Sequence, residues 1–303
     1  MTTADTHTAA ILEPWSREPL EHIPGALKGD EEGIHDLRVS ARRLRTVLPV
    51  LSDEPAGRRV RRAVAQLRRL GDMAGNARDH DVMVELLSGP ETDARTASRL
   101  GERLEARRQR ARAALNHDLR ALDLDAVARE LNGACGRVAP LFLALVQLGR
   151  TRDELTADIR LRLDALGARF HGDALHRLRI RIRRLRYLAE LYAAIRGTES
   201  GAAGLKELQD ALGRIQDASV FASWLRYEGT LARRRGDRAT ADAALSEARR
   251  WMKAARRHHR AFLDLAARRL VEEVQNALET PRPPTPLPRR APLRIGNKRR
   301  LRA

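Results

Sequence analysis

Cysteine is all but missing from this chain: Cys135 is the single copy in 303 residues. An internal disulfide is therefore impossible and a thiolate metal cluster within one chain is excluded, which fits a reducing compartment. Aromatic residues make up only 3%, so the stacking platforms on which single-stranded nucleic acids lie are scarce. Between Pro55 and Pro281 only Pro90 and Pro140 occur, which leaves room for long helices between few breaks. The longest apolar run, Val138 to Leu148, is too short to span a bilayer. The start, MTTADTHTAAILEPW, lacks the basic opening and apolar centre of a signal peptide. A cytoplasmic protein that does not insert into a membrane is expected. Also missing are a P-loop, an HExxH pair and a Gly-Ser nucleophile turn. His258 and His259 are adjacent and so point in different directions on a helix, which disfavours a metal pair. No catalytic residue, metal or cofactor is expected.

What is present begins with helix formers. Ala, Leu, Arg and Glu dominate, strand formers are sparse, and apolar periodicity runs near 3.6, which predicts an all-α fold. Breaks are expected at 52–57, 71–81, 89–93, 133–136, 172–173, 197–204 and 236–237. The formal net charge is +18, of which +8 lies in the last 23 residues, Pro281 to Ala303, together with six prolines and no acid. That tail reads as disordered, as do residues 1–7. The remaining +10 predicts attraction to polyanions: nucleic acid, anionic lipid or polyphosphate. Only four of the 58 basic residues are lysine, and an Arg-rich composition by itself leaves many arginines simply solvated. Glu102 to Arg112, where Glu105 and Arg108 form an i, i+3 pair, reads as such a charged face.

One segment occurs twice. IHDLRVSARRLRT, Ile34 to Thr46, and LHRLRIRIRRLRY, Leu175 to Tyr187, lie 141 residues apart and agree at seven of thirteen positions, where roughly one or two would agree by chance. Downstream, LRRLGDMAGNARDHDV (Leu67 to Val82) aligns with LKELQDALGRIQDASV (Leu205 to Val220) at an offset of 138. Leu67, Leu70, Asp72, Gly75, Asp79 and Val82 recur as Leu205, Leu208, Asp210, Gly213, Asp217 and Val220. Two similar units of about 140 residues follow.

At about 100° per residue, His35, Arg38, Arg42 and Arg45 fall within about 80° of arc on one helical face. His176, Arg179, Arg183 and Arg186 repeat the arrangement. The opposite face of the first copy carries Ile34, Leu37, Ala41, Leu44 and Leu48, the stripe of a helix packed on a core. No acid sits among the four basic positions to neutralise them, and an anion would offset the repulsion they generate. Arg suits phosphate in particular, because its planar fork donates two parallel hydrogen bonds and stays charged at every physiological pH. Arg43 and Arg184 lie about 80° round from the histidines, where they either rim the same face or are freely solvated. Asp79 and Asp217 either cap a following helix or reach back to orient an arginine, with capping the favoured reading.

The segments HDLRVSARRLR and HRLRIRIRRLR, each followed by LGDMAGNARDHDV or LQDALGRIQDASV, resemble the CHAD domain, an α-helical domain named for its recurrent histidines. The resemblance covers about residues 8 to 280, with repeats at about 8–148 and 149–280. It implies two tandem four-helix bundles related by a pseudo-twofold axis, enclosing a basic central channel that binds inorganic polyphosphate. It also implies a place at polyphosphate or polyhydroxyalkanoate granules, with granule proteins as partners. Carried over position by position, the channel face maps onto His35, Arg38, Arg42 and Arg45, then onto His176, Arg179, Arg183 and Arg186, with Arg43 and Arg184 as candidate rim residues. Arg68 and Lys206 align on the next helix. Many relatives carry a preceding CYTH-type tunnel domain with metal-holding carboxylates; this sequence has no ExExK segment, and a noncatalytic role is expected. Nonspecific nucleic-acid binding through the same basic surface and the tail is the alternative expectation, since charge alone gives salt-sensitive attraction.

Overall fold

A computed structural model describes residues 5–52, 57–197, 202–265 and 267–279. Among these the chain is helical throughout, in the order α1 (Asp5–Glu21), α2 (Ile23–Lys28), α3 (Glu31–Val47), a 3₁₀ turn (Leu48–Leu51), α4 (Arg58–Ser88), α5 (Ala94–Arg120), α6 (Leu124–Cys135), α7 (Leu141–Asp164), α8 (Gly172–Arg196), α9 (Ala203–Arg234), α10 (Arg238–Leu263) and α11 (Ala267–Glu279). The all-α expectation holds. The basic tail lies outside the described residues, and α1 begins at Asp5, inside the stretch expected to be disordered.

Helix starts follow the capping rule. Asp30, Asp93, Asp123 and Asp237 accept a hydrogen bond from the backbone N–H three residues on, at 2.9, 3.2, 2.9 and 3.0 Å. Six of the seven expected breaks separate helices or begin one, but the seventh does not: 71–81 lies wholly inside α4. Gly75, Asn76 and Asp79 look like a turn in sequence. Yet Ala74, Gly75 and Ala77 are buried, and packing of that face outweighs the roughly 1 kcal/mol that glycine costs a helix.

The apolar stripes do what their spacing requires. Ile34, Leu37, Ala41 and Leu44 on α3 are buried, as are Leu175, Leu178, Ile182 and Leu185 on α8. The buried apolar side chains form three clusters among the described residues. The first gathers α1 to α6, the start of α7 and the far end of α8, through Tyr187, Leu188, Leu191 and Ile195. The second joins the later part of α7 to α8, the start of α9, the end of α10 and α11. The boundary drawn at 148/149 lies within α7, which contributes Ala144, Leu148 and Leu155 to the first cluster and Ile159 to the second.

The third cluster belongs to both halves. It packs Leu87, Leu100 and Leu104 of the α4–α5 hairpin against Phe221, Trp224, Leu225 and Trp251 of the α9–α10 hairpin. Phe221 stacks on Trp224 at 5.5 Å and meets Trp251 edge-on at 5.1 Å. Trp251 Nε1 donates to Thr92 Oγ1 across the hairpins at 3.3 Å. Nearby, the buried Glu228 of α9 receives Arg107 of α5 at 2.5 Å and Arg103 at 3.8 Å. Few as the aromatics are, they are concentrated where the halves join.

Truncating Phe221, which is fully buried, to alanine should cost about 3–5 kcal/mol. Urea unfolding followed by circular dichroism would register the shift, and a midpoint that does not move would mean this cluster is not part of the cooperative core.

Candidate functional site

The two copies of the repeated segment are α3 and α8, and these helices pack against each other while α4 approaches α9. The duplicated basic faces therefore meet. Arg42 is held below the ordinary guanidinium range by burial and by Arg38, Arg179 and Arg45 nearby. Arg183 is lowered further, by burial first and then by Arg42, with Arg179 and Arg38 adding to it. Four guanidiniums from two halves thus share one neighbourhood.

The glycine contact at Arg38 recurs at Arg179. A Cβ at Gly75 would stand 3.8 Å from Arg38 Nε, and one at Gly213 would stand 3.8 Å from Arg179 Nη2. The repeated glycines are therefore a floor on which the guanidiniums lie, not turns. Arg38 Nη1 donates to Asp79 Oδ1 at 2.8 Å. Asp79 and Asp217 both lie in mid-helix, so the capping reading fails and the orienting reading stands for Asp79. Burial raises Asp217, Arg179 nearby opposes that shift, and Asp79 adds to it, which places the two carboxylates close together. Arg38 Nε and Arg179 Nε are nevertheless buried without a hydrogen-bond partner. Such N–H groups are costly to leave unsatisfied.

His35 is exposed and held below its ordinary value by burial of the ring, then by Arg78, Arg38 and Arg42, with Asp36 opposing. His176 Nδ1 lies 3.1 Å from Gln216 Oε1. Arg45 joins Arg38, Arg42, Gly71, Asp72, Gly75, Asn76 and Asp79 around a cavity of about 330 Å³ between α3 and α4. Arg68 is exposed and pairs with the cavity's Asp72 at 3.5 Å, and Lys206 is exposed near the start of α9.

Three of the expected residues are engaged elsewhere. Arg43 pairs with Glu18 and lies over the Trp15 ring at 4.5 Å. Arg186 pairs with Glu190 at 3.2 Å and lies over the Tyr187 ring at 5.0 Å. Arg184 is lowered by burial and by Arg181, with Glu154 of α7 opposing. Arg78 was missed. It acts on His35, Asp81 and Asp217, but its repeat position holds Gln216, so duplication could not reveal it. Its spacing of three from Gly75, on the same helical face, was the available signal.

A family model for the CHAD domain matches residues 10–226. The chain belongs to the CHAD domain family. Among solved structures, the crystal structure of the CHAD domain from the plant Ricinus communis is 21% identical, with a TM-score of 0.64 and 93% of each chain covered. PptA from Streptomyces chartreusis is 19% identical, with a TM-score of 0.62 and coverage of 87% of this chain and 100% of that one. No curated protein matches. Both neighbours share the CHAD fold. Among the described residues no helix is long and apolar enough to cross a membrane, and no group of three or more His, Cys, Asp or Glu is placed to hold a metal ion.

Alanine fits at Gly75 and Gly213 at ordinary contact distance. Gly75→Ala should therefore raise unfolding stability by up to about 1 kcal/mol. Gly229→Ala should lower it instead, because a Cβ there would meet Leu245 Cγ at 2.8 Å. Thermal unfolding of the two variants checks the contrast.

Proposed function

We propose that this protein binds inorganic polyphosphate without turning it over, on the central cluster formed by His35, Arg38, Arg42, Arg45, Arg179, Arg183 and His176, with Arg43, Arg68, Arg184, Arg186 and Lys206 at its margin. The observation that carries the reading is the meeting of Arg38, Arg42, Arg179 and Arg183 from two halves, with Arg38 Nε and Arg179 Nε left without partners. Like charges gathered at a partly buried place have no stabilising role in the protein alone. A multivalent phosphate chain supplies closely spaced oxygens that accept from several forks at once. Membership in the CHAD family agrees with this chemistry. A module with this grip would be carried to granules where polyphosphate accumulates, and contacts with granule proteins would follow from that location.

The test is calorimetric titration of the full chain with long-chain polyphosphate and with duplex DNA at physiological salt. Each charge-assisted hydrogen bond lost is worth about 1.5–3 kcal/mol, so Arg42→Ala/Arg183→Ala should weaken polyphosphate binding at least about 100-fold. Equal affinity for both polymers, unchanged in the variant, would overturn the reading in favour of nonspecific attraction to nucleic acid.

Arg42→Met/Arg183→Met should separate function from stability. Removing two mutually repelling, partly buried cations should raise apo stability, on the order of 1 kcal/mol, while abolishing binding. Loss of both together in thermal unfolding and titration would mean that the arginines are structural.

A pH dependence follows from His35, whose value in the free protein is depressed. A bound polyanion favours the imidazolium, so the bound-state value lies above the free one. Affinity should therefore rise as pH falls below about 6.5, reach its full increment below the depressed free value, and lose that increment as pH rises through the bound value. His35→Gln should flatten this slope, and an affinity unchanged between about pH 8 and 5.5 would count against it.

A further inference from the structure

The basic residues of α5 and α10, corresponding helices in the two halves, differ in their partners. On α5, Arg103 and Arg107 meet Glu228, Arg108 meets Glu31 and Glu105, and Arg112 meets Glu31 and Asp81. On α10 the exposed face is open. Arg226 of α9 and Arg249, Lys253, Arg256, Arg257 and Arg260 of α10 line a groove of about 660 Å³ with Ala248 and Met252. All six are exposed, and none is ion-paired among the described residues; the α10 pairs are Arg250 with Glu247 and Asp242 with Arg233. At about 100° per residue, Arg249, Lys253, Arg256 and Arg260 fall within about 60° of arc, a straight stripe about 16 Å long.

The lining indicates what fits. It contains no acid, which excludes a basic partner, and no aromatic side chain, so bases of a single strand have nothing to stack on. Sunk between two helices, it is concave, whereas a duplex is read by an element that protrudes into its groove. A thin, flexible anion with closely spaced charges meets both conditions. The groove is also linked to the central cluster by cations. Arg214 follows Gly213, the floor beneath Arg179, and both Arg214 and Arg257 lie close enough to His258 to act on it. Arg179, Arg214 and Arg257 thus mark the way from the cluster to the groove, past His258, which burial, Arg257 and Arg214 hold below its ordinary value with Glu91 opposing.

We infer that the α9–α10 groove is a second, outer site for the same polymer, reached by polyphosphate chains long enough to leave the central cluster and follow this line of cations. The inference rests on the central polyphosphate reading. Its consequence is chain-length discrimination. Once a long chain is held centrally, its far segment meets the groove at millimolar effective concentration, and avidity rises without any new contact at the first site.

The experiment titrates the full chain with chains of about five phosphates and of about one hundred, comparing each variant with wild type at the same length so that the number of binding registers cancels. Arg249→Ala/Lys253→Ala/Arg256→Ala changes only exposed side chains, and circular dichroism should show it folded. It should lose about 10- to 100-fold in affinity for the long chains and stay within about twofold for the short ones. Arg233→Ala/Arg234→Ala/Arg235→Ala removes the same charge at the α9–α10 turn and should change neither. Wild-type affinity for long chains in the groove variant would overturn the outer site, as would an equal loss in the turn variant or an equal loss at both lengths. The underlying reading is tested separately by Arg42→Ala/Arg183→Ala. Short-chain binding that survives there removes the central site and the inference with it, whereas long-chain affinity that survives in the groove variant removes the groove alone.

Discussion

The structure depends on holding like charges together where α3 meets α8. Two cations a few ångströms apart repel by about 1 kcal/mol in water and about 4 kcal/mol at the effective dielectric of a protein surface. Arg38, Arg42, Arg179 and Arg183 create several such pairs. Asp79 pairs with Arg38 and Asp217 lies near Arg179, but no acid meets Arg42 or Arg183 among the described residues, so further force is needed to close the contact. It comes from apolar burial on the far sides of the same helices. Leu188, Leu191 and Ile195 extend α8 into the cluster built by the first half, and each fully buried side chain of this kind contributes about 1.5–3 kcal/mol. The Phe221, Trp224 and Trp251 cluster then ties the hairpins together. A handful of side chains placed away from the site can outweigh the repulsion within it.

That separation of roles leaves the site to be braced from a neighbouring helix. Arg38 is fixed by Asp79 and by the flat surface at Gly75, both on α4, a helix it does not belong to. The carboxylate takes one end of the guanidinium and leaves Nε without a partner. Had the acid stood one turn away on α3 itself, as Glu190 stands to Arg186 on α8, the fork would have been drawn along its own helix. Bracing from a neighbouring helix holds the side chain in place, so less rotamer entropy would be lost on binding an anion.

The same geometry shows what the sequence could disclose. Stripes such as Ile34, Leu37, Ala41 and Leu44 were legible because period 3.6 is a local property, and so were the two basic faces, since they share helices with the stripes. The pairing of Arg38 with Asp79 spans 41 residues and belongs to no local pattern. Gly75 reads as a break by type and Asp79 as a helix cap or as an acid orienting an arginine, and what decides between such readings is what lies across from them: the Arg38 guanidinium, which packs over Gly75 and donates to Asp79. Arg43 shows the opposite limit. Its helical position made rim or solvent equally acceptable, and Glu18 and Trp15 of α1, whose approach no spacing rule on α3 can supply, decided its place.

Duplication therefore explains the inner face better than the outer one. Where the halves touch, each must present a complementary copy of the same surface, and His35, Arg38 and Arg42 recur as His176, Arg179 and Arg183. Away from that contact nothing enforces likeness, and charge has diverged. Arg78 faces Gln216 in the alignment and Asn76 faces Arg214. Glu228 of α9 is buried against Arg103 and Arg107 of α5, while the arginines lining the α10 groove are paired with no acid among the described residues. The ion pairing of the outer cations consequently differs between the two halves. For the linear polyanion proposed at the centre, that asymmetry favours one direction: Arg103, Arg107, Arg108 and Arg112 of α5 are already met by acids, whereas the cations of the α10 groove are not, so a free end would be drawn toward the second half.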